Sequence, residues 1–177
     1  MQSTRIIAAV ANVWRQPNNT SIDTPALANV GLQPWLAQLS DEDTVALERD
    51  NRIVTQALFN DVFLVEQFVN GWAYGYVVNQ ADSRHPQGYP GWVWAAQLST
   101  VPLPVQTGPM ITIRRGFTPL LCLDGRTFLN LSLGTELPVI SSKDHRYYTV
   151  QTPLGTGKIA KRATQLSLIH ISEPTRP

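Results

Sequence analysis

The sequence contains a single cysteine, Cys122, among its 177 residues. One cysteine excludes an internal disulfide framework and a structural zinc site built from several thiolates. The scarcity of cysteine also agrees with a reducing compartment, so we expect the chain in the cytoplasm. His85 and His145 lie in polar, loop-like stretches without a second histidine or cysteine nearby. We therefore expect neither a metal site nor a cofactor.

Long apolar runs and an excess of charge are also missing. The apolar run over residues 6–11 is far shorter than the roughly 20 residues that cross a bilayer, and no small-residue cleavage site follows it. The net charge is +1. We therefore expect neither a membrane nor a nucleic acid as partner.

The charges that are present are unevenly distributed, which indicates two domains. Residues 1–100 hold nine acidic and five basic residues, whereas residues 101–177 hold four acidic and nine basic ones. An uncharged stretch with prolines 102, 104 and 109 lies at the boundary and suits an extended linker. We expect the first domain over residues 1–100, the linker over 101–108 and the second domain over 109–165.

The rest of the pattern predicts a mainly β fold. Short runs rich in β-branched and aromatic residues alternate with glycine and proline, and Asn70-Gly71 is a strong hairpin signal. In the first domain the predicted strands cover residues 6–14, 53–59, 62–68, 71–78 and 91–95.

Residues 24–50 interrupt this β pattern and predict a short helical insertion. Their apolar residues show no strand alternation, and Ser40 stands before an acidic first turn over residues 41–43. Serine caps a helix start, and acidic residues there complement the helix dipole. We expect two short helices with a break near Ser40, and no metal at the acidic cluster.

The second half repeats the first in outline. Residues 131–139 echo residues 57–65, and residues 157–159 echo residues 91–93. Each copy holds about five short strands, which is the size of a small barrel closed by hairpins. The sequence therefore predicts two small SH3-like barrels, the first carrying the helical insertion.

Aromatic residues are concentrated near the end of the first domain, where Trp72, Tyr74, Tyr76 and Trp92 lie close in sequence. Strand alternation places the first three on one face, and the small residues between them suit the interior of a tiny barrel. We therefore expect the aromatic face to point outward. It either packs within the chain, for example against the helical insertion, or forms a ligand platform.

Several motifs carry a resemblance to a known family. They are ANVWR (residues 11–15), TPALAN (24–29), TQALF (55–59), NGW (70–72) and GYPGWV (88–93). In this order the set resembles the N-terminal bacterial SH3-like domain of NlpC/p60-type cysteine peptidases, and residues 119–135 are similar to their second SH3-like domain. The subgroup it resembles recycles peptidoglycan by cutting the γ-D-glutamyl to diamino-acid bond of short wall peptides.

This resemblance implies that a catalytic domain should follow both barrels, and here it is missing. The chain would then help shape the substrate cleft for wall peptides with a free amino terminus, and its partner would be its own downstream catalytic domain. No catalytic residue is expected in the chain as given. Cys122 resembles a strand end entering a turn, whereas the family's nucleophile begins a helix that favours the thiolate.

Tyr89 is the candidate substrate-binding residue. We expect it in a loop over residues 79–90, directed by the neighbouring Gly88 and Pro90. The resemblance implies that the matching tyrosine helps recognise the free amine of the peptide. Some relatives add a carboxylate at the position of Val54, so that contact is lost or replaced here.

Two further interpretations remain open, and one segment is set aside. A stand-alone module that binds cell-wall glycan or peptide is the alternative function. An adaptor for proline-rich segments is disfavoured, because the acidic loop that such grooves use is missing. Residues 166–177 resemble the translation of a sequencing adapter. We expect an artefactual tail there and a chain that is a fragment.

Overall fold

The computed structural model describes residues 1–17, 23–28, 32–101 and 108–167, and it divides the chain into two compact units, Met1–Leu103 and Pro104–Pro177. Most of the expected linker lies outside the described residues. No helix in the described ranges is long and apolar enough to span a membrane.

The mainly β fold is confirmed, with one antiparallel sheet in each unit. In the described part of the first unit, six strands lie in the order β1-β4-β5-β6-β2-β3. They are β1 (Gln2–Arg5), β2 (Val10–Trp14), β3 (Ile53–Leu58), β4 (Val62–Val69), β5 (Trp72–Val77) and β6 (Tyr89–Trp94).

The first predicted strand, over residues 6–14, is wrong as a single element. The chain makes β1 earlier, an isolated bridge from Ile6 to Leu98, and then β2 from Val10 onward. β1 pairs with β4, whereas β2 pairs with β3 and β6. The two strands therefore pair with different neighbours in the sheet. The apolar run over residues 6–11 continues across the break between them, so the sequence pattern does not indicate it.

The hairpin of β4 and β5 forms where Asn70-Gly71 predicts it. Both residues have positive φ, +48° and +82°, as a type I′ turn requires. Further along β5, a Cβ atom on Gly75 would lie 2.2 Å from the Leu64 carbonyl oxygen. The two strands therefore approach too closely there for any side chain.

The core of the first unit lies on the small-residue face of the sheet, as the alternation predicts. Ala73 and Val77 of β5 are fully buried on this face. The cluster consists of Ile6, Ala8, Ala11, Val13, Ala57, Phe63, Val65, Ala73, Val77, Val93 and Leu98. Tryptophan is absent from it and lies on the other face, in a second cluster.

The helical insertion covers this second cluster. It contains a 3₁₀ turn (Thr24–Leu27) and the helices α1 (Gln33–Leu36) and α2 (Asp41–Arg49). The Ser40 hydroxyl accepts a hydrogen bond from the Asp43 N–H at 3.1 Å, and the Asp43 carboxylate accepts one from the Ser40 N–H at 3.0 Å. These bonds form the predicted cap. The Ser40 hydroxyl also donates a 2.7 Å hydrogen bond to the Asp43 carboxylate, and this bond, together with the one from the Ser40 N–H, lowers the pKa of Asp43. The buried residues of this cluster, from the sheet and from the insertion, are Trp14, Ala26, Leu27, Leu32, Trp35 and Trp72.

The second unit repeats the strand order of the first. Its strands are β7 (Met110–Ile113), β8 (Thr118–Cys122), β9 (Thr127–Leu131), β10 (Glu136–Ser141), β11 (Tyr147–Thr152), β12 (Gly155–Ala160) and β13 (Thr164–Ser167). They form a sheet in the order β13-β7-β10-β11-β12-β8-β9. When β13 is left out, the order of the second sheet is that of the first with six added to each strand number, so that β7 corresponds to β1 and β10 to β4. The predicted repeat is therefore present in the structure. Two sheets of this kind are consistent with SH3-like barrels.

The expected artefactual tail falls mostly outside the described residues. Leu166 and Ser167 belong to β13 and pair with Ile111 and Met110. Such backbone pairing accepts almost any sequence, so it says nothing about the origin of these two residues.

Candidate functional site

A cleft in the first unit is lined by several charged and aromatic side chains. Its volume is about 250 Å³. Residues from the sheet and from the β5–β6 loop line it, namely Arg15, Val54, Tyr74, Asp82, Arg84, His85, Tyr89, Pro90 and Gly91. Arg15 directly follows β2, so the cleft receives residues from β3, β5, β6 and the end of β2.

Tyr89 lies in this cleft, but as the first residue of β6 rather than in the predicted loop. It pairs with Val77 of β5 and is half-buried. In the described part of the chain its hydroxyl has no hydrogen-bond partner. The phenol can therefore donate or accept a hydrogen bond with a ligand.

The residues on either side of Tyr89 fix its direction. Gly88 has φ +129°, and a Cβ atom there would lie 2.3 Å from the Val77 carbonyl oxygen. Pro90, with its restricted φ, follows on the other side. Tyr89 is thus held between a position open only to glycine and a rigid ring.

The aromatic residues separate into a buried pair and an accessible pair. Trp72 is 3% exposed and packs edge-on against Trp14 beneath the insertion, with ring centroids 6.3 Å apart. Tyr76 is 7% exposed. The proposed platform therefore loses these two residues to packing within the chain. Tyr74 and Trp92 remain half-buried, with ring centroids 5.2 Å apart.

Tyr76 packs against two residues that line the cleft, Tyr74 and His85. Its hydroxyl donates a 2.9 Å hydrogen bond to the Glu66 carboxylate. Burial, together with this bond to an anion, raises the pKa of Tyr76 to about 12. The Tyr76 ring also contacts Tyr74 and His85, both at a centroid distance of 5.9 Å. It thereby links the sheet to the β5–β6 loop.

That loop is ordered by its own polar contacts. His85 Nδ1 and the Asp82 carboxylate are hydrogen-bonded, and this bond lowers the pKa of Asp82. The Gln80 side chain donates a 2.6 Å hydrogen bond to the Gln56 carbonyl and accepts one of 2.7 Å from the Thr55 hydroxyl. The loop is therefore tied to β3, and its charged residues are held at the cleft.

Sequence reasoning missed three of the charged lining residues, Arg15, Asp82 and Arg84, and it considered His85 only as a candidate metal ligand. No spacing in the sequence links Arg15 to residues 82–85, because the sheet brings them together across unrelated segments. Spacing within the loop could have suggested the pairing of Asp82 with His85. In the described residues, no group of three or more histidine, cysteine, aspartate or glutamate side chains could hold a metal.

Cys122 has the surroundings that the sequence predicts. It ends β8 and is half-buried, and its N–H donates a 2.7 Å hydrogen bond to the Arg126 carbonyl across a tight turn. No helix begins there, so the helix dipole that would favour a thiolate is absent at this residue. His145 is exposed, and His170 lies outside the described residues.

A second cavity, of about 230 Å³, lies in the second unit. Its lining includes Arg115, Phe117, Tyr147 and Arg162. Phe117 is 63% exposed with a φ of +57°, which is unusual for a bulky residue. The Thr118 hydroxyl donates a 2.7 Å hydrogen bond to the Arg115 carbonyl and stabilises this turn.

Comparison with known proteins finds similarity to two bacterial peptidases. It is 33% identical over 153 residues to a gamma-D-glutamyl-L-lysine dipeptidyl-peptidase of Bacillus subtilis (strain 168), covering 85% of this chain and 51% of that protein. It is 28% identical over 156 residues to the Bacillus cereus protein of the same name, covering 85% of this chain and 46% of that one. The chain thus spans about half the length of the curated relatives it matches.

A solved structure gives the same fold. A crystal structure of an NlpC/p60 family protein from Bacillus cereus superposes with a TM-score of 0.82 at 24% sequence identity, covering 94% of this chain and 56% of that one. No family model matches the chain. The resemblance to NlpC/p60-type peptidases, predicted from the sequence motifs, is confirmed by these relatives.

Proposed function

We propose that the chain is the non-catalytic, SH3-like portion of a peptidoglycan-recycling cysteine peptidase. Its role is to help bind short wall peptides that have a free amino terminus, and its partner is a catalytic domain that this chain does not contain. The names of the curated relatives support the peptide class, since both contain γ-D-glutamyl-L-lysine.

The observation that carries this proposal is the position of Tyr89. Its backbone is restrained by Gly88 and Pro90, and the residue lines a cleft together with Val54. A phenol oxygen accepts a hydrogen bond from an ammonium group. Because Val54 supplies no charge, Tyr89 becomes the residue on which amine recognition depends.

Binding of a short peptide to the chain tests the proposal. The probe is alanyl-γ-D-glutamyl-lysine with a free amino terminus, and its N-acetylated form is the comparison. Loss of one hydrogen bond to a charged amine costs about 1.5 to 3 kcal/mol. Tyr89→Phe should therefore weaken binding of the free peptide about tenfold or more and leave the weak binding of the acetylated peptide unchanged.

Tyr148→Phe is the matched control, since it removes the same hydroxyl from a half-buried tyrosine of the second unit. Equal losses for both peptides in Tyr89→Phe would show a structural role for this residue. Equal binding of the two peptides by the unsubstituted chain would overturn amine recognition altogether.

The chain itself should not hydrolyse this peptide, because in the described part of the chain no helix begins at Cys122 and no base is hydrogen-bonded to its thiol. Cleavage that is lost in Cys122→Ala would contradict the proposal.

The alternative function, a stand-alone module that binds cell-wall glycan, has one observation in its favour. Tyr74 and Trp92 offer half-buried rings in contact with each other, and such rings provide a large contact area with a polar edge. Titration with a glycan fragment should then shift the NMR signals of Trp92, whereas the peptide proposal expects the larger shifts around Tyr89.

A further inference from the structure

The balance of charge in the cleft is positive, which matters for any ligand with a free amine. Arg15 and Arg84 line the cleft with Asp82 as their acidic neighbour. The pKa of Asp82 is lowered, so this carboxylate is ionised at neutral pH. Two guanidinium groups then outweigh one carboxylate, whether His85 is neutral or protonated.

The Asp82 carboxylate already interacts with other residues of its own loop. Its side chain is only 14% exposed and is hydrogen-bonded to His85, with the Arg84 backbone N–H contributing to the lowering of its pKa. An incoming ammonium group would have to compete with these contacts. Asp82 is therefore a poor partner for a ligand amine.

The two arginines, in contrast, keep donors available. Arg15 uses its Nε–H in a 3.0 Å hydrogen bond to the Asn51 carbonyl, which anchors the side chain and leaves the rest of the guanidinium group for other partners. Neither Arg15 nor Arg84 forms an ion pair within the described ranges. Guanidinium donors are suited to carboxylates, which they can bind through two parallel hydrogen bonds.

We propose that Arg15 and Arg84 form a carboxylate-binding subsite next to Tyr89. Its ligand is a short peptide that presents a free carboxylate close to its free amine. A γ-glutamyl linkage provides such a group, because the bond uses the side-chain carboxyl and leaves the α-carboxylate free. This inference rests on the proposed function. It restricts the expected ligands from all peptides with a free amine to those that also carry a free α-carboxylate close to that amine.

The size of the cleft agrees with such a ligand. At about 250 Å³ it is smaller than a typical pocket for a drug-sized molecule, so it admits one end of a short peptide. Amine and carboxylate would then lie within the same small volume, one at the Tyr89 hydroxyl and the other at the arginines. A simple amine without a carboxylate would meet net repulsion there.

The test compares two peptides that differ in one group. Both carry a free alanyl amine, γ-D-glutamyl and a lysine amide, and one has the glutamyl α-carboxylate while the other has an α-carboxamide. Dissociation constants come from NMR titration of the labelled full chain. We expect the carboxamide to bind about 5- to 10-fold more weakly, with a smaller difference at high salt, as for a partly exposed charge pair.

Arg15→Gln and Arg84→Gln should each weaken binding of the carboxylate peptide about threefold and leave binding of the carboxamide peptide unchanged. Both side chains are exposed, so the variants should fold, and their NMR spectra verify this. Arg126→Gln is the matched control. It removes an arginine that is 82% exposed in a turn of the second unit, and it should change neither constant.

The outcomes separate this inference from the proposed function. Equal binding of the two peptides, with N-acetylation still weakening binding, would overturn the carboxylate subsite and leave amine recognition intact. Sensitivity to amidation without sensitivity to acetylation would support the subsite and overturn the role of Tyr89. If neither peptide binds, both proposals fail.

Discussion

Replacing Gly88 with alanine should destabilise the first unit more than any substitution confined to the surface. Two effects coincide at this residue. The φ of +129° lies in a region that an L-residue rarely adopts, and the added Cβ would lie 2.3 Å from the Val77 carbonyl oxygen. Real Cβ atoms do not approach backbone atoms so closely, so β5 and the loop before β6 would have to separate.

The magnitude follows from these two contributions. The backbone conformation costs about 1–2 kcal/mol for a residue with a side chain. Relief of the overlap by a backbone shift costs about 1–3 kcal/mol more, as in overpacked sites. We therefore expect Gly88→Ala to lower the free energy of unfolding by about 2–5 kcal/mol, together with altered NMR signals for Tyr89.

Tryptophan fluorescence during denaturant unfolding is the assay. All five tryptophans lie in the first unit, at positions 14, 35, 72, 92 and 94, so their emission reports its unfolding selectively. Gly125→Ala is the control, and its unfolding is followed by circular dichroism because the second unit contains no tryptophan. Gly125 has a φ of +90° but nothing within 4 Å of the added Cβ. It should therefore cost only the conformational part, about 1 kcal/mol.

A loss of less than about 1 kcal/mol for Gly88→Ala would refute this reasoning. It would mean that the turn before β6 adapts without strain. The argument that Gly88 fixes the direction of Tyr89 would then fail with it.

Three other predictions concern the supports of the site. Ser40→Ala removes the cap of α2 and should cost about 1 kcal/mol in denaturant unfolding. Because folding raises the pKa of Tyr76 to about 12, its contribution to stability is complete below pH 10 and is lost as the pH rises toward 12. Ultraviolet titration should show a tyrosine that ionises at about pH 12, and Glu66→Gln should lower the pH at which this tyrosine ionises. Arg52→Gln breaks a 2.9 Å ion pair with the Asp23 carboxylate, whose side chain is 1% exposed. We expect a loss of about 3 kcal/mol by tryptophan fluorescence.

Local signals in the sequence predicted the elements that depend on neighbouring residues. The Asn70-Gly71 turn and the Ser40 cap are of this kind, because each is decided within four residues. The alternation in β5 likewise predicts which face of the sheet carries the core of small residues. Changes of strand partner are not predictable in this way, because the apolar run from Ile6 onward has the pattern of one continuous strand.

The position of Tyr89 shows the same limit at the site. A proline at position 90 favoured a loop, since proline donates no hydrogen bond to a sheet. In the structure, β2 pairs with β6 only at Trp92 among the described residues. Pro90 therefore lies where β6 has a partner strand on one side alone, and the missing N–H is tolerated. That fact depends on the sheet order, which the sequence does not display.

The duplicated strand order identifies a position where this fold accepts extra length. In the first unit the connection from the second to the third strand runs over residues 15–52, while its counterpart in the second unit is the tight turn over residues 123–126. A connection roughly nine times longer adds only about 2 kcal/mol of closure entropy. Burial of Trp35 against the sheet can offset such an amount. The turn near Gly125 is therefore the natural place to graft a foreign segment, such as a fluorescent reporter or a second binding element, without rebuilding the sheet that holds it.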